Sequence, residues 1–456
     1  MILVNPPHSF IETHRGREKQ GKTNEILSYP PLGILYLASV LEKDGTKVKV
    51  IDAPAHGFGL LETVHEIERE KSVFVGISAT TPQTYAAVQL AKTLRERHGN
   101  DLLIGLGGAH VSADPDFINR FPHFDFALTG EGEVTLPKIV RKILNGESIR
   151  GVYHGQAPSN LDEVPFPARH LVNNNLYFIP IREKKFTSIL ASRGCPYDCL
   201  YCSRPVIGRN VRFRSPKNIV AEMIECIDKF GIQWFQFVDD TMTLNRSHII
   251  RLCDEIVNRK LEIEWGCQTR VDLVNAQILS AMQKAGCREI SLGIESGSER
   301  VRRVLRKNFS NESVFKAFKF CRKIGIETTA FFMLGLPTET KDELHWTIEF
   351  SRMIEADYIE VHVTTPFPGS DLFAIAIKEK RVPINVWDKY AEGKTETLPL
   401  YVPPTLIGED LSKEQKRAYK MFYFRPHYIL RRFFLDISSM KKLKQDVKTA
   451  IVLMRW

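Results

Sequence analysis

The first 194 residues of this 456-residue chain contain no cysteine, and all eight cysteines fall between Cys195 and Cys321. Five of them, Cys226, Cys253, Cys267, Cys287 and Cys321, stand singly in apolar helix or strand patterns, where a thiol packs as a small hydrophobe. That usage fits a reducing, cytoplasmic compartment better than a disulfide framework. No apolar run reaches the roughly 18–20 residues that a membrane-spanning helix needs. No secretory leader is expected, because MILVNPP reads as a strand running into prolines. Nucleic-acid recognition motifs are missing too, so no nucleic-acid partner is expected. Net positive charge is confined to one region. From Ser412 to Trp456, twelve lysines and arginines face three carboxylates, so this tail carries the net charge of +9 and the body is close to neutral.

What is present begins with an alternation of short β-rich runs and helical patterns over residues 1–150. The runs are MILVNPP, KVKVIDA, SVFVGISA, DLLIGLGG and FDFALTG. Strands apolar on both faces predict a doubly wound parallel sheet covered by helices on each side, a Rossmann-like architecture. Ligands bind beyond the carboxyl ends of such strands. Those ends carry Asn5, Pro6 and Pro7; Ser78, Thr80 and Thr81; Gly107, Gly108 and His110; and Gly130, Glu131 and Gly132. Small residues there let a bulky ligand approach the backbone.

Residues 151–186, rich in proline and asparagine, read as a linker. From 187 to 399 a second alternation follows: TSILASRG, WFQFVDD, IEWGCQTR, EISLGIES, TTAFFMLG and YIEVHVT. Six such units predict a partial (β/α)6 barrel of TIM type, short of the eight that close one. Polar residues gather at its strand ends: Asp239 and Asp240, Gln268 and Arg270, Glu295 and Ser296. That rim is where such barrels build chemistry. The region 400–456 reads as mainly helical and mixes aromatics with basic residues. A helical face packed on the barrel and a membrane-surface segment both fit it.

Gly16 to Thr23, GREKQGKT, matches the phosphate-loop pattern G-x-x-x-x-G-K-S/T. The mechanism of that loop needs a strand leading directly into a helix. Here the first strand ends near Pro7 and Pro30-Pro31 follow, so the match reads as chance in a basic loop, with an NTPase as the rival reading.

CPYDCLYC is different. Cys195, Cys199 and Cys202 are spaced C-x-x-x-C-x-x-C just beyond the first barrel strand. Structural zinc wants four ligands, usually as two separated pairs, and no second C-x-x-C exists in the chain. A redox C-x-x-C pair leaves Cys195 unexplained. A cubane iron–sulfur cluster takes four thiolates, so three leave one iron open, as catalytic metals keep a free position. Arg193 and Arg204 place positive charge beside such an anionic assembly. A chance cluster of structural cysteines is the bland alternative.

RGCPYDCLYC resembles the signature of radical S-adenosylmethionine (SAM) enzymes, and Gly293-Ile294-Glu295-Ser296, the MLGLPTET run and VDD before Thr241 extend the resemblance. VNPP, PPLGILYLASVLE, GGAHVSADP and GEGE resemble the cobalamin-binding domain of the cobalamin-dependent branch. The resemblance spans most of residues 1–370. It implies that Cys195, Cys199 and Cys202 bind three irons of a 4Fe–4S cluster whose open iron chelates SAM. Tyr201 would lie along the adenine, Glu295 would hydrogen-bond the ribose, and Arg270 would face the methionine carboxylate. Gly293, Ser296, Gly335 and Pro337 would complete the SAM site, with Asp239 and Asp240 near the place of its amino group. On the corrin side, the strand ends from Asn5 to Gly132 named above would contact cobalamin. Many corrin enzymes supply an axial histidine from D-x-H-x-x-G. Here Asp52-Ala-Pro-Ala-His56-Gly57 has the wrong spacing, so no histidine is expected on cobalt by that route; His56 reads as a loop residue and His110 as a pocket-lining one.

The implied activity is methylation of an unactivated carbon through a 5′-deoxyadenosyl radical and methylcobalamin, with a one-electron donor of flavodoxin or ferredoxin type. A cyclase or oxidative rearrangement without methyl transfer is the second reading, and a non-catalytic corrinoid or iron–sulfur binding protein the third. The basic aromatic tail points to a lipid, isoprenoid or tetrapyrrole substrate and to peripheral membrane contact.

Overall fold

The computed structural model describes residues 1–7, 28–180, 182–395 and 397–436. The basic loop with Gly16–Thr23 and the tail beyond 436 lie outside the described residues.

Strands β1 (Ile2–Asn5), β2 (Lys49–Asp52), β3 (Phe74–Ser78), β4 (Leu103–Gly107), β5 (Phe126–Thr129) and β6 (Gly151–His154) form one sheet in the order β2-β1-β3-β4-β5-β6. Every pairing in it is parallel. Two apolar clusters flank the sheet. One centres on Val4, Val75, Ile104 and Leu90, and the other on Leu35, Val50, Phe126 and Val140. This is the doubly wound sheet expected, with one more strand. β6 falls inside the segment read as a linker; it is an edge strand of four half-exposed or exposed residues, GVYH, and so has no apolar run to betray it.

The rest of that segment ties the two halves together. Arg169, buried, bonds Glu222 Oε1 at 2.6 Å, and Arg214 bonds Glu222 Oε2 at 2.6 Å. Arg169 also donates to the Ser188 carbonyl at 2.8 Å, which fixes the connection against the first barrel strand.

The second sheet holds β7 (Phe178–Ile179), β8 (Lys184–Ile189), β11 (Trp234–Phe237), β12 (Glu264–Arg270), β13 (Cys287–Glu295), β14 (Glu327–Leu334) and β15 (Tyr358–Val363). Its order is β15-β14-β13-β12-β11-β8-β7, an open arc in which β7 and β15 do not pair. The six expected strands run parallel, and the short β7 adds an antiparallel edge. A separate ribbon pairs β9 (Ser192–Arg193) with β10 (Arg212–Phe213).

The helix Leu411–Tyr423 packs along β15 and finishes its edge. Tyr423 and Tyr419 accept from the Ile359 and Val361 N–H groups at 3.2 and 3.0 Å, and Gln415 donates to the Val361 carbonyl at 2.6 Å. Covering an edge strand this way removes a template for pairing with another chain. The first part of the tail is therefore packed on the barrel. No helix of the described residues is long and apolar enough to cross a membrane.

Candidate active site

The cysteine loop hangs between β9 and β10. Its turns are closed by Cys202 N–H to the Cys199 carbonyl at 3.0 Å and by Cys195 N–H to the Gly208 carbonyl at 3.3 Å. Arg204 donates to the carbonyls of Cys195, at 2.7 Å, and of Tyr197. All eight cysteines are unpaired; Cys195 is buried, and Cys199 and Cys202 are half-buried. Among the described residues, no three His, Cys, Asp or Glu side chains converge closely enough to hold a single metal ion. The three thiols share one short loop, and three thiolates are one fewer than the four ligands a structural zinc takes. Burial pushes the Cys202 thiol up to about 11, so loading a metal there must expel its proton.

Around this loop the expected rim residues separate into two groups. Tyr201, Glu295, Gly293 and Arg270 come together. Tyr201 Oη donates to Glu295 Oε1 at 2.6 Å. Glu295 has φ +70°, and the pairing of β13 with β14 slips between Gly293 and Glu295. An irregularity of this kind re-aims a side chain next to a site. Lys307, which no motif flagged, donates to Glu295 Oε1 at 2.6 Å and to the Gly293 carbonyl at 3.1 Å. Arg270 stacks on Tyr197 at 3.9 Å, points Nη1 at Cys199 Sγ at 3.6 Å, and is gripped by Asp272 through two bonds of 2.9 Å.

Asp239 and Ser296 serve the scaffold. Asp239 is fully buried and accepts from Ala191 N–H, Ser192 N–H and Ser192 Oγ, which braces the turn into the cysteine loop. Burial raises it to about 6. Asp240 beside it is exposed and faces Arg204, whose charge opposes the rise that desolvation causes. Ser296 Oγ accepts from Ser298 N–H at 3.1 Å and bonds Thr347. Gly335 and Pro337 are buried, and Gly335 N–H donates to Glu339 Oε2 at 2.8 Å.

The first sheet presents a small glycine-lined cavity of about 60 Å³, bounded by Gly76, Gly105, Gly107, Gly108, Gly130 and Gly132 together with Ser78, Leu37 and Leu128. A Cβ on Gly108 (φ +97°) would lie 2.6 Å from the Ala79 carbonyl oxygen, so the cradle depends on its absence. An apolar slot with a glycine floor at the strand ends fits part of a corrinoid. The polar residues nearby are less open. Asn5 bonds Asp52 at 2.8 Å and Gln83 at 2.9 Å, while Pro7 is buried. Thr80 pairs with Gln83 at 2.9 Å. His110 is buried with Nδ1 3.3 Å from Thr81 Oγ1, and burial lowers it to about 3, so the ring is neutral. It does not line the cavity. His56 closes a one-turn helix before Gly57 and stacks on Phe58.

Further sequence expectations change at the domain junction. Arg193 does not face the thiols; its guanidinium is taken by Glu131 and Glu133 at 2.6 Å each. Glu131, expected on the corrin, spends both carboxylate oxygens on Arg193 and Arg212.

Comparison with known proteins agrees with this geometry. The family model of the Radical SAM superfamily matches residues 189–351, and that of the B12 binding domain matches residues 27–140. An uncharacterized methyltransferase of Pyrococcus horikoshii is 30% identical over 421 residues, covering 89% of this chain and 90% of its own. The anaerobic magnesium-protoporphyrin IX monomethyl ester cyclase of Rubrivivax gelatinosus is 27% identical over 443 residues, covering 92% and 78%. In three dimensions the chain is similar to the radical SAM methyltransferase TsrM of Kitasatospora setae, solved with cobalamin and a 4Fe–4S cluster bound. The TM-score is 0.69 at 18% identity, over 93% of this chain and 91% of that one. Thiol loop, carboxylate rim and glycine slot thus sit in one chain that belongs to the cobalamin-dependent radical SAM enzymes, whose cofactors are a 4Fe–4S cluster, SAM and cobalamin.

Proposed function

We propose that this enzyme transfers a methyl group to an unactivated carbon of an apolar, membrane-associated molecule of the lipid, isoprenoid or tetrapyrrole kind. The observation that carries the reading is the union, in one chain, of the thiol loop with its Tyr201–Glu295–Lys307 rim and of the glycine slot, joined through Glu131 and Arg193. When bound, the cofactors supply reductive cleavage of SAM to a 5′-deoxyadenosyl radical and a transferable methyl group. The chain's own part is placement. Cys195, Cys199 and Cys202 would hold the cluster, and Arg204 keeps their loop closed through two carbonyls. Glu295, fixed by Lys307 and Tyr201, offers a carboxylate for sugar hydroxyls. Arg270 sets a cation next to Cys199. An apolar cluster of Leu200, Leu305, Leu336 and Tyr401 backs the rim and excludes water. Gly107, Gly108, Gly130 and Gly132 would receive the corrinoid. A one-electron donor of flavodoxin or ferredoxin type is the partner this chemistry requires, and unpaired thiols fit a cytoplasmic setting.

The membrane-associated substrate is supported by the helix Pro426–Asp436. Its Tyr428 donates to the Asp357 carbonyl, Arg431 pairs with Asp357, and Arg432 is buried over the Tyr358 ring. Ile429, Leu430, Phe433 and Phe434 are exposed. Cations turned inward and apolar groups outward suit a lipid boundary. Flotation with anionic liposomes is expected to carry the full chain but not a Leu430→Ser, Phe434→Ser variant; equal flotation would remove this support.

Anaerobic turnover tests the reaction. Methyl transfer yields 5′-deoxyadenosine and S-adenosylhomocysteine together, while a cyclase yields the first without the second. Neither product above a Cys199→Ala control would reject both.

A further inference from the structure

Arg193 and Arg212 are direct cross-strand partners in the β9–β10 ribbon. Like charges directly opposite each other destabilise such a pair. The ribbon is also the base of the cysteine loop, since residues 194–211 leave it at Arg193 and return at Arg212. Left alone, the stem of the cluster loop would repel itself.

The first domain supplies the remedy. Glu131 bonds Arg193 at 2.6 Å and also pairs with Arg212; Glu133 bonds Arg193 at 2.6 Å. All four side chains are at most 14% exposed. Tyr36, also of the first domain, lies under the Arg193 guanidinium at 4.9 Å. Without the carboxylates two dry guanidiniums would face each other, and without the arginines two dry carboxylates would stand unpaired. Removing one side of such a set is costly because buried charge is left uncompensated.

Residues 130–133, which carry these carboxylates, also have a second face. Gly130 and Gly132 line the apolar cavity, while Glu131 and Glu133, alternating with them, reach the ribbon. We propose that Glu131, Glu133, Arg193 and Arg212 are positioning residues that couple closure of the cysteine loop to seating of the corrinoid. Whatever settles residues 130–133 against a bound corrinoid also presents the carboxylates that close the thiol loop, and the effect is reciprocal. The inference rests on the cofactor assignment above but not on methyl transfer.

The test is titration of full-length protein with hydroxocobalamin, followed by its visible spectrum, before and after anaerobic loading of the cluster. In the native chain, loading is expected to tighten corrinoid binding about ten-fold. In Glu131→Gln, Glu133→Gln the two affinities should agree within about two-fold, with bound iron and the unfolding midpoint of the cluster-free protein measured alongside. Should the double variant not fold, Glu133→Gln alone should at least halve the factor. No tightening in the native chain, or the same tightening in the variants, would overturn the proposal. Failure to detect S-adenosylhomocysteine would leave it standing, since neither titration requires turnover.

Discussion

Lys307 Nζ lies 2.6 Å from Glu295 Oε1, and both side chains are buried. The lysine thereby neutralises a carboxylate whose backbone already sits in the left-handed region at φ +70°. Removing one partner of a buried pair strands the other. Lys307→Met is expected to cost about 3 kcal/mol in urea unfolding of the holoenzyme, with bound iron unchanged. A loss under about 1 kcal/mol would mean that Tyr201 alone suffices to hold Glu295.

Glu339 is buried below the β14 end and accepts from the N–H groups of Gly335 and Leu336 at 2.8 and 3.1 Å. Burial raises it from 4.5 to about 7. An acid that binds its proton more tightly when folded stabilises the fold at low pH. That contribution declines as pH climbs from about 4.5 to 7 and is gone above. Glu339→Gln keeps an oxygen for both N–H groups and has nothing to titrate. Unfolding measured from pH 5 to 8 should be less pH-dependent in the variant, by up to a few kcal/mol, with the variant the more stable of the two at pH 8.

Gly108→Ala places a methyl group 2.6 Å from the Ala79 carbonyl oxygen at φ +97°, whereas Gly45→Ala, at φ +82°, meets nothing within 4 Å. Both pay for the backbone conformation, by roughly 1 kcal/mol. Only the first should also abolish corrinoid binding in a visible titration. Equal binding by the two variants would place the corrinoid elsewhere.

The hydroxyls of Tyr419 and Tyr423 satisfy β15 backbone groups that would otherwise face outward. Tyr419→Phe, Tyr423→Phe should cost about 1–3 kcal/mol in thermal unfolding and raise the aggregated fraction in size-exclusion chromatography. An unchanged elution profile would show that the helix alone protects the edge.

Much of this was legible in the residues. Parallel strands declare themselves as continuous apolar runs, which is why the barrel strands and five of the first six appeared at once. Three cysteines in eight residues need no partner elsewhere to be noticed. Long-range pairs are different. Lys307 stands in a turn with no pattern around it, and its partner Glu295 is twelve residues away across a helix. Arg193 looked like a counter-charge for the cluster because sequence proximity was the only guide; its carboxylate lies 62 residues upstream in another domain. Asp239 stood at a strand end where ligands bind, yet it turns inward to free backbone N–H groups. A charged side chain announces that it needs a partner without saying which.

The tyrosines along β15 have one more effect. A side-chain hydroxyl can satisfy an amide, but it cannot hand the hydrogen-bond ladder on to a further strand, so the arc ends there for good.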